Sequence, residues 1–239
     1  MAITVVINQP TYLPWIGYFE QIRRADTFVF LDSVQFARSS FHHRNRIKNA
    51  RDEAFWLSIP VKSCALETEI KDIEICNKKD WADKHLKSLV VNLGKAPHFA
   101  AMMSILEPRL HNPPTMLAEL TTSIIKDISH ALGLHAKFRR SSELPAAGQK
   151  ADLVLSILSH LGATHYYSAA GSTYLEDARE KFAEAGIPFA YQTWEHTVYP
   201  QAGKTFTSHL SIVDAFCWVG PEGVRKMIGA EAPASTTTL

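Results

Sequence analysis

Short apolar, β-branched runs alternate along this chain with stretches whose apolar positions recur every three or four residues. Residues 3–7 (ITVVI) have the pattern of a buried strand, closed by Asn8-Gln9-Pro10. Residues 15–24 place Ile16, Phe19 and Ile22 at helical spacing, and residues 27–31 (TFVFL) form a second strand. Strand, helix and strand in that order make a βαβ unit, which requires a parallel sheet covered by helices. The pattern returns late in the chain. Strands are expected at 135–139, 164–168 and 189–192, with helices at 151–161, 175–185, 210–218 and 221–227. Gly162 and Gly186 stand at two helix ends.

Between these halves lie two other kinds of sequence. Residues 32–49 are polar with interleaved phenylalanines and read as hairpin strands or a long excursion. Residues 55–61 (FWLSIPV) read as a strand whose Pro60 marks an edge or an end. The alternating residues 70–75 (IKDIEI) are the expected partner of that strand. Helical patterns follow at 81–93, 98–106 and 116–132, interrupted by Pro97 and by Pro113-Pro114 and stopped by Gly133. The expected architecture is α/β: one open parallel Rossmann-like sheet, a small β excursion and an inserted helical block. The expected parts are an α/β segment with the excursion at 1–78, the helical block at 79–133, a segment completing the same sheet at 134–229, and a loose tail at 230–239.

Composition narrows the function classes. The 239 residues hold 25 Lys plus Arg against 24 Asp plus Glu, a formal charge of +1, which does not suggest a nucleic-acid-binding surface. The three cysteines, Cys64, Cys76 and Cys217, are too scattered for a disulfide framework or a zinc site. The eleven histidines show no HExxH or comparable spacing, so no metal is expected. The sequence opens without a basic segment followed by a long apolar one, and it contains no long uninterrupted apolar run. A cytoplasmic protein without a transmembrane segment is the expectation.

In an open parallel sheet, ligands bind outside the carboxyl ends of the strands. Here those ends are followed by Gln9 through Phe19, by Asp32 and Gln35, by Ser141-Ser142, by Ser168-Ala169-Ala170-Gly171-Ser172, and by Glu195-His196. Pro10 and Pro14 stiffen the first loop, whose helix start offers the backbone N–H groups of Trp15, Ile16 and Gly17 to an anion. Arg44-Asn45-Arg46 is the densest cationic cluster, and arginine forks suit phosphate or carboxylate. His196 titrates near neutral pH and lies in a polar stretch with Tyr199 and Gln201. Neither GxGxxG nor GxxxxGK[ST] is present.

Several of these stretches resemble the WbqC-like protein family: residues 9–19 (QPTYLPWIGYF), Asp32-Ser33-Val34-Gln35-Phe36, Arg44-Asn45-Arg46-Ile47, residues 56–61, Lys84-His85-Leu86, Arg140-Ser141-Ser142, residues 162–168, Tyr199-Pro200-Gln201 and residues 210–214. The similarity covers nearly the whole chain. It implies a part in making or decorating an activated sugar for O-antigen or other surface polysaccharide. The sequence departs from the common pattern at Ser33, where a second acidic residue is usual, and at Ala169, where a Ser-Gly step is usual. The opening is also similar to nucleotidyltransferase-type HUP folds, although residues 12–18 lack the His-x-Gly-His signature of those enzymes.

Three readings follow. In the first, the chain is a transferase, of acyl or aminoacyl groups to an amino-sugar, with a small-molecule substrate and no specified cofactor. Asp32 or His196 is then the base. Gln9 and Tyr12 orient substrate, Arg44 and Arg46 bind its anion, and backbone N–H groups at Trp15 stabilise an oxyanion. Ser168 and Gly171 shape the far wall, and Gly17, Gln35, Asn45, Tyr199 and Gln201 complete the binding set. The second reading is a nucleotide-dependent ligase, and the third a non-catalytic scaffold protein of a biosynthetic complex.

Overall fold

The computed structural model describes residues 2–77 and 80–230. Strand β1 (Thr4–Asn8) leads into helix α1 (Ile16–Arg24) and strand β2 (Thr27–Phe30). Strands β3 (Arg44–Lys48) and β4 (Ala54–Ser58) follow, then helices α2 (Trp81–Leu93), α3 (Phe99–His111) and α4 (Leu117–Ala131). Strand β5 (Lys137–Arg140), helix α5 (Lys150–His160), strand β6 (His165–Ser168), helix α6 (Arg179–Glu184), strand β7 (Phe189–Tyr191) and helix α7 (Ile212–Met227) complete the described chain.

Five strands form one sheet in the order β5-β2-β1-β6-β7, with every pair parallel. Both faces are covered, which is why its strands read as apolar runs. Val6 and Phe28 face α1, α4 and α7 together with Phe19, Ile124 and Phe216. Val5, Ile7 and Val29 face α5 and α6 together with Val154, Leu158 and Phe182. Leu89 of α2 and Met102 and Leu106 of α3 belong to the first of these cores, so the helical block and the sheet share buried surface. Residues 231–239, most of the expected tail, lie outside the described residues.

The excursion corrects one expectation. The partner of β4 is β3, with Arg46 opposite Trp56, and not residues 70–75. That segment makes two isolated bridges, Ile75 to Val61 at the far end of the expected 55–61 strand and Glu74 to Met116, and its start winds into a 3₁₀ turn at Ile70–Asp72. The spacing explains it. Ile70 and Ile73 are three residues apart and both are buried, which is the period of a 3₁₀ turn. Smaller differences lie in the helices. The stretch expected as one helix at 175–185 is a 3₁₀ turn, Thr173–Ala178, followed by α6. The two helices expected at 210–227 abut across Gly220, whose φ is 72°. A Cβ there would come within 2.7 Å of the His98 imidazole, so the break is also a point of close packing.

Asp32 fastens the end of β2 to the segment after β5. Its carboxylate accepts from Arg140 Nε (2.6 Å), Ser142 Oγ (2.9 Å), Ser142 N (3.0 Å) and Ser141 Oγ (3.1 Å). Ser141 Oγ in turn accepts from the Asp32 and Ser33 backbone N–H groups. Asp32 is fully buried, and a buried carboxylate is tolerated only with its lone pairs filled in this way. Asp32→Asn should therefore lower unfolding stability by about 2–4 kcal/mol, read as a shift of the urea midpoint. A loss below about 0.5 kcal/mol would place the pair with ordinary surface ion pairs.

Candidate functional site

The strand order reverses between β1 and β6, because the chain builds outward through β2 and β5 and then returns to the other side of β1. The carboxyl ends of β1 and β6 therefore diverge, which is where open α/β sheets bind ligands. Side-chain amides line that point. Asn8 Nδ2 donates to Gln21 Oε1 and Gln21 Nε2 to Gln192 Oε1, both at 2.8 Å. Gln192 Nε2 donates to the Gly17 carbonyl and to Glu20, again at 2.8 Å. Glu20, fully buried on α1, also pairs with Arg24 and accepts from the Tyr167 hydroxyl at 3.2 Å. Beside this relay, Ser168 is fully buried and its Oγ has no partner among the described residues, while Gly171 is exposed with open space around its Cα.

The proline loop and the arginine strand share one rim. Tyr12 N donates to the Phe41 carbonyl (3.0 Å) and Asn45 Nδ2 to the Leu13 carbonyl (2.8 Å). Ile212 N donates to the Pro14 carbonyl (2.8 Å) and Ser211 N to the Arg46 carbonyl (2.9 Å). The starts of α1 and α7 and strand β3 thus meet at Pro14, Ser211 and Arg46. Arg44 and Arg46 project from the same side of β3, with guanidinium carbons 4.4 and 5.7 Å from the Trp56 ring. Arg44 Nη2 donates to the Ser39 carbonyl, but the buried Nε of each arginine has no acceptor among the described residues.

An aromatic cluster stands over the start of α1. The Trp15 indole lies against Gly17, in the space a Cβ would occupy. Around it are Trp194 (ring centroids 5.5 Å apart), His209 (4.9 Å) and His196 (6.2 Å, nearly parallel). His196 also packs on Tyr199 and Phe206. Its Nδ1 faces the Thr197 carbonyl at 3.1 Å, and its Nε2 is buried without a partner among the described residues. Partial burial lowers the His196 pKa, so the ring is neutral at pH 7 with its second nitrogen uncommitted. That is the state a general base needs.

Other expected site residues serve the scaffold. Tyr12 is fully buried, and its hydroxyl meets His85 Nδ1 at 3.0 Å, so it ties the loop to α2 and does not face a ligand. Asn45 is buried and spent on Leu13, a residue in the left-handed region at φ 46°. Both ends of the Gln201 amide bond Thr207, closing the loop between them. Asp32 has no acceptor capacity to spare for a base's work. Gln9 Oε1 meets His42 Nε2 at 2.8 Å. Gln35 donates to the Leu66 carbonyl and lines a separate concavity of about 340 Å³ with Arg38 and Cys64. The structure thus brings Trp15, Gly17, His196 and Tyr199 together, joins them to the Arg46 carbonyl through Ser211, and sets Gln35 apart.

Two residues of this region were not anticipated. Lys48 is fully buried two positions beyond Arg46, and its Nζ reaches Asp52 Oδ1 (2.8 Å) and the Thr205 carbonyl. Asp214, in the first turn of α7, is fully buried and neither carboxyl oxygen has a hydrogen-bond partner among the described residues. Burial raises its pKa to about 7, against the smaller opposing pull of Tyr199 and Lys48. The sequence signal was Ser211-x-x-Asp214, the spacing of a capping box. Ser211 does cap, accepting from Val213 N, but its own N–H goes to Arg46, which leaves Asp214 nothing to cap.

Among the described residues, no cluster of three or more His, Cys, Asp or Glu side chains is placed to hold a metal ion, and no helix is long and apolar enough to cross a membrane. The fold and this edge define an α/β protein with a Rossmann-like sheet and polar, aromatic loops at its carboxyl edge. The chain belongs to the WbqC-like protein family, whose model matches residues 9–226. It is 29% identical over 221 residues to the uncharacterized protein Rv1507c of Mycobacterium tuberculosis, covering 91% of this chain and 94% of that one. No solved structure matches the chain. Family membership accords with a general biosynthetic, transferase-like role.

Buried titratable groups make stability depend on pH in two opposing ways. Burial lowers His42 and His85 to about 4, so their contribution is full above the ordinary histidine pKa and is lost as pH falls toward 4. Asp214 has a raised pKa, so its contribution is full below the ordinary aspartate pKa and is lost as pH rises toward 7. Asp214→Asn should stabilise the protein at pH 8 by about 1–3 kcal/mol and show little difference at pH 4. Urea midpoints across that range check it, and destabilisation at pH 8 would mean that Asp214 works as an ionised partner of Lys48.

Proposed function

We propose that the protein is a transferase of bacterial surface-polysaccharide synthesis, moving an acyl or aminoacyl group from an activated donor to the amine of an amino-sugar. The observation that carries this reading is the neutral His196, with Nε2 enclosed and unpaired among the described residues, stacked beside Trp15 at the carboxyl edge of a parallel sheet and joined to the Arg46 carbonyl through Ser211. Family membership supplies the biosynthetic setting.

In this reading the Trp15 and Trp194 rings pack against the apolar face of the sugar. Arg44 and Arg46 hold its phosphate or carboxylate through their free N–H groups. The amine nitrogen attacks the acyl carbon, the N–C bond forms, and the bond to the leaving group breaks. The proton shed by the amine passes to His196 Nε2. Backbone N–H groups at the start of α1 stabilise the oxyanion. Ser168 and Gly171 form the far wall. Tyr199 holds the His196 ring by stacking, and Asp32 acts at a distance by fixing the end of β2. Nucleotide-dependent ligation is kept as a second reading because the strand order, 3-2-1-4-5 counted within the sheet, matches the first five strands of the doubly wound nucleotide-binding order. It requires magnesium and releases pyrophosphate.

Thermal-shift screening against nucleotide sugars, nucleotides and acyl-thioesters identifies the donor class, since a ligand that binds the native state raises its apparent stability. With the donor and acceptor found, His196→Gln should lower kcat by about 10²-fold or more with little change in Tm. Arg46→Ala should weaken substrate binding by more than about tenfold. Unchanged kinetics in both variants would remove this edge from the reaction.

A further inference from the structure

The opposite edge of the sheet carries a second feature, which the proposed reaction leaves unused. At the amino ends of the strands two adjoining concavities open, of about 510 and 790 Å³. Each is within the size range of small-molecule sites. Arg23 lines both. The smaller lies on the flank of α1 and is walled by Arg24, His165, Tyr167 and Phe189. Ala190 leaves its floor open, because β7 is the edge strand and Ala190 is exposed beside Tyr167. The larger is bordered by His135, Lys137, Arg139 and Asp26.

The charge here is unbalanced although the chain as a whole is nearly neutral. Arg23 and Arg24 share one carboxylate, Glu20, and Lys137 and Arg139 have no ion-pair partner among the described residues. Glu20 is fully buried and spent on Arg24, Tyr167 and Gln192, and it lies 3.7 Å from Arg23 Nη2. Asp26 Oδ2 accepts from the Thr4 N–H at 2.8 Å. Arg24 is braced over the Tyr167 ring at 5.1 Å, which fixes one guanidinium plane. Arg23 Nε is enclosed and has no acceptor among the described residues. An N–H donor buried without a partner is unfavourable, and the group that would satisfy it is an anion entering from the concavity. The position of Arg23 between two basin walls suits a ligand with more than one anionic centre.

We infer that the amino-terminal edge of the sheet is a binding site for a small polyanion of the phosphate-ester or diphosphate type, gripped by Arg23 and flanked by Arg24 on one side and Lys137 and Arg139 on the other. The site is separate from the His196 region, so its occupancy tunes or localises the protein rather than supplying the reacting atoms.

Inorganic pyrophosphate is the probe, titrated calorimetrically into the full chain at low and at physiological ionic strength. The expected result is saturable binding that weakens with salt. Arg23→Gln should reduce affinity tenfold or more, and Lys137→Gln/Arg139→Gln, at exposed strand positions that contribute nothing to the core, should reduce it at least threefold. Arg44→Gln/Arg46→Gln should leave this binding event intact. No binding by the wild type, or full affinity retained in both amino-edge variants, overturns the inference. Affinity lost only in the Arg44/Arg46 variant also overturns it and assigns the anion to the opposite edge. Because the His196 and Arg46 kinetics are read separately, the failure of this inference and the failure of the transferase reading are distinguishable.

Discussion

The carboxyl edge of this protein depends on how the backbone of one proline loop is satisfied. Pro10 and Pro14 remove two N–H donors from the run between β1 and α1, and Leu13 sits at φ 46°, a region that costs a non-glycine residue about 1–3 kcal/mol. The loop keeps that shape because three distant segments bond its carbonyls and amides: Phe41, Asn45 and Ile212. The same bonds hold β3 and the start of α7 in place. One set of hydrogen bonds therefore fixes the arginine strand, the two helix starts and the Trp15 indole relative to one another. A site assembled from such remote pieces is pre-organised only if its backbone is over-determined in this way.

Against that frame, the distribution of satisfied and unsatisfied polar groups acquires meaning. Asp32, Glu20, Gln192, Asn45 and Gln201 are buried or half-buried and have their partners. Ser168 Oγ, His196 Nε2, both Asp214 oxygens and the Nε atoms of Arg44 and Arg46 have none among the described residues. Each such group costs about 1–3 kcal/mol when left bare. Those five residues lie around the carboxyl ends of the strands and the adjoining hairpin, whereas the bare Arg23 Nε lies at the amino edge and the bare Trp218 Nε1 in α7. The saturated residues hold the walls.

The sheet was legible because its signal is local. ITVVI, TFVFL and THYYS are apolar or aromatic enough to be buried on both faces. The segment at 70–75 misled because I-K-D-I-E-I alternates in its second half only, and the three-residue step from Ile70 to Ile73 carried the real geometry. Site residues were harder for a different reason. Tyr12, Asn45 and Gln201 are the right types for ligand contacts, and nothing near them in sequence announces His85, Leu13 or Thr207 as their partners. Asp214 was hidden by the opposite error. Its spacing from Ser211 accounts for it as a capping residue, and only the long-range bond from Ser211 N to Arg46 takes that role away.

Net charge illustrates the same limit at the scale of the whole molecule. A sum of +1 suggests an electrostatically bland surface, and a long basic stripe is indeed not what the fold builds. Yet folding converts a balanced sum into an uneven field, because the acids are consumed unequally. Glu20 is drawn inside to serve α1, Asp26 turns to the backbone of β1, and Asp52 is taken by Lys48. The cations left behind are longer and reach the rim. Arg23 and Arg24, which share one carboxylate, and Lys137 and Arg139 of edge strand β5, which have none among the described residues, then border the same pair of concavities. Affinity for anions is thus a property of where carboxylates are spent, which is decided by tertiary contacts and not by composition.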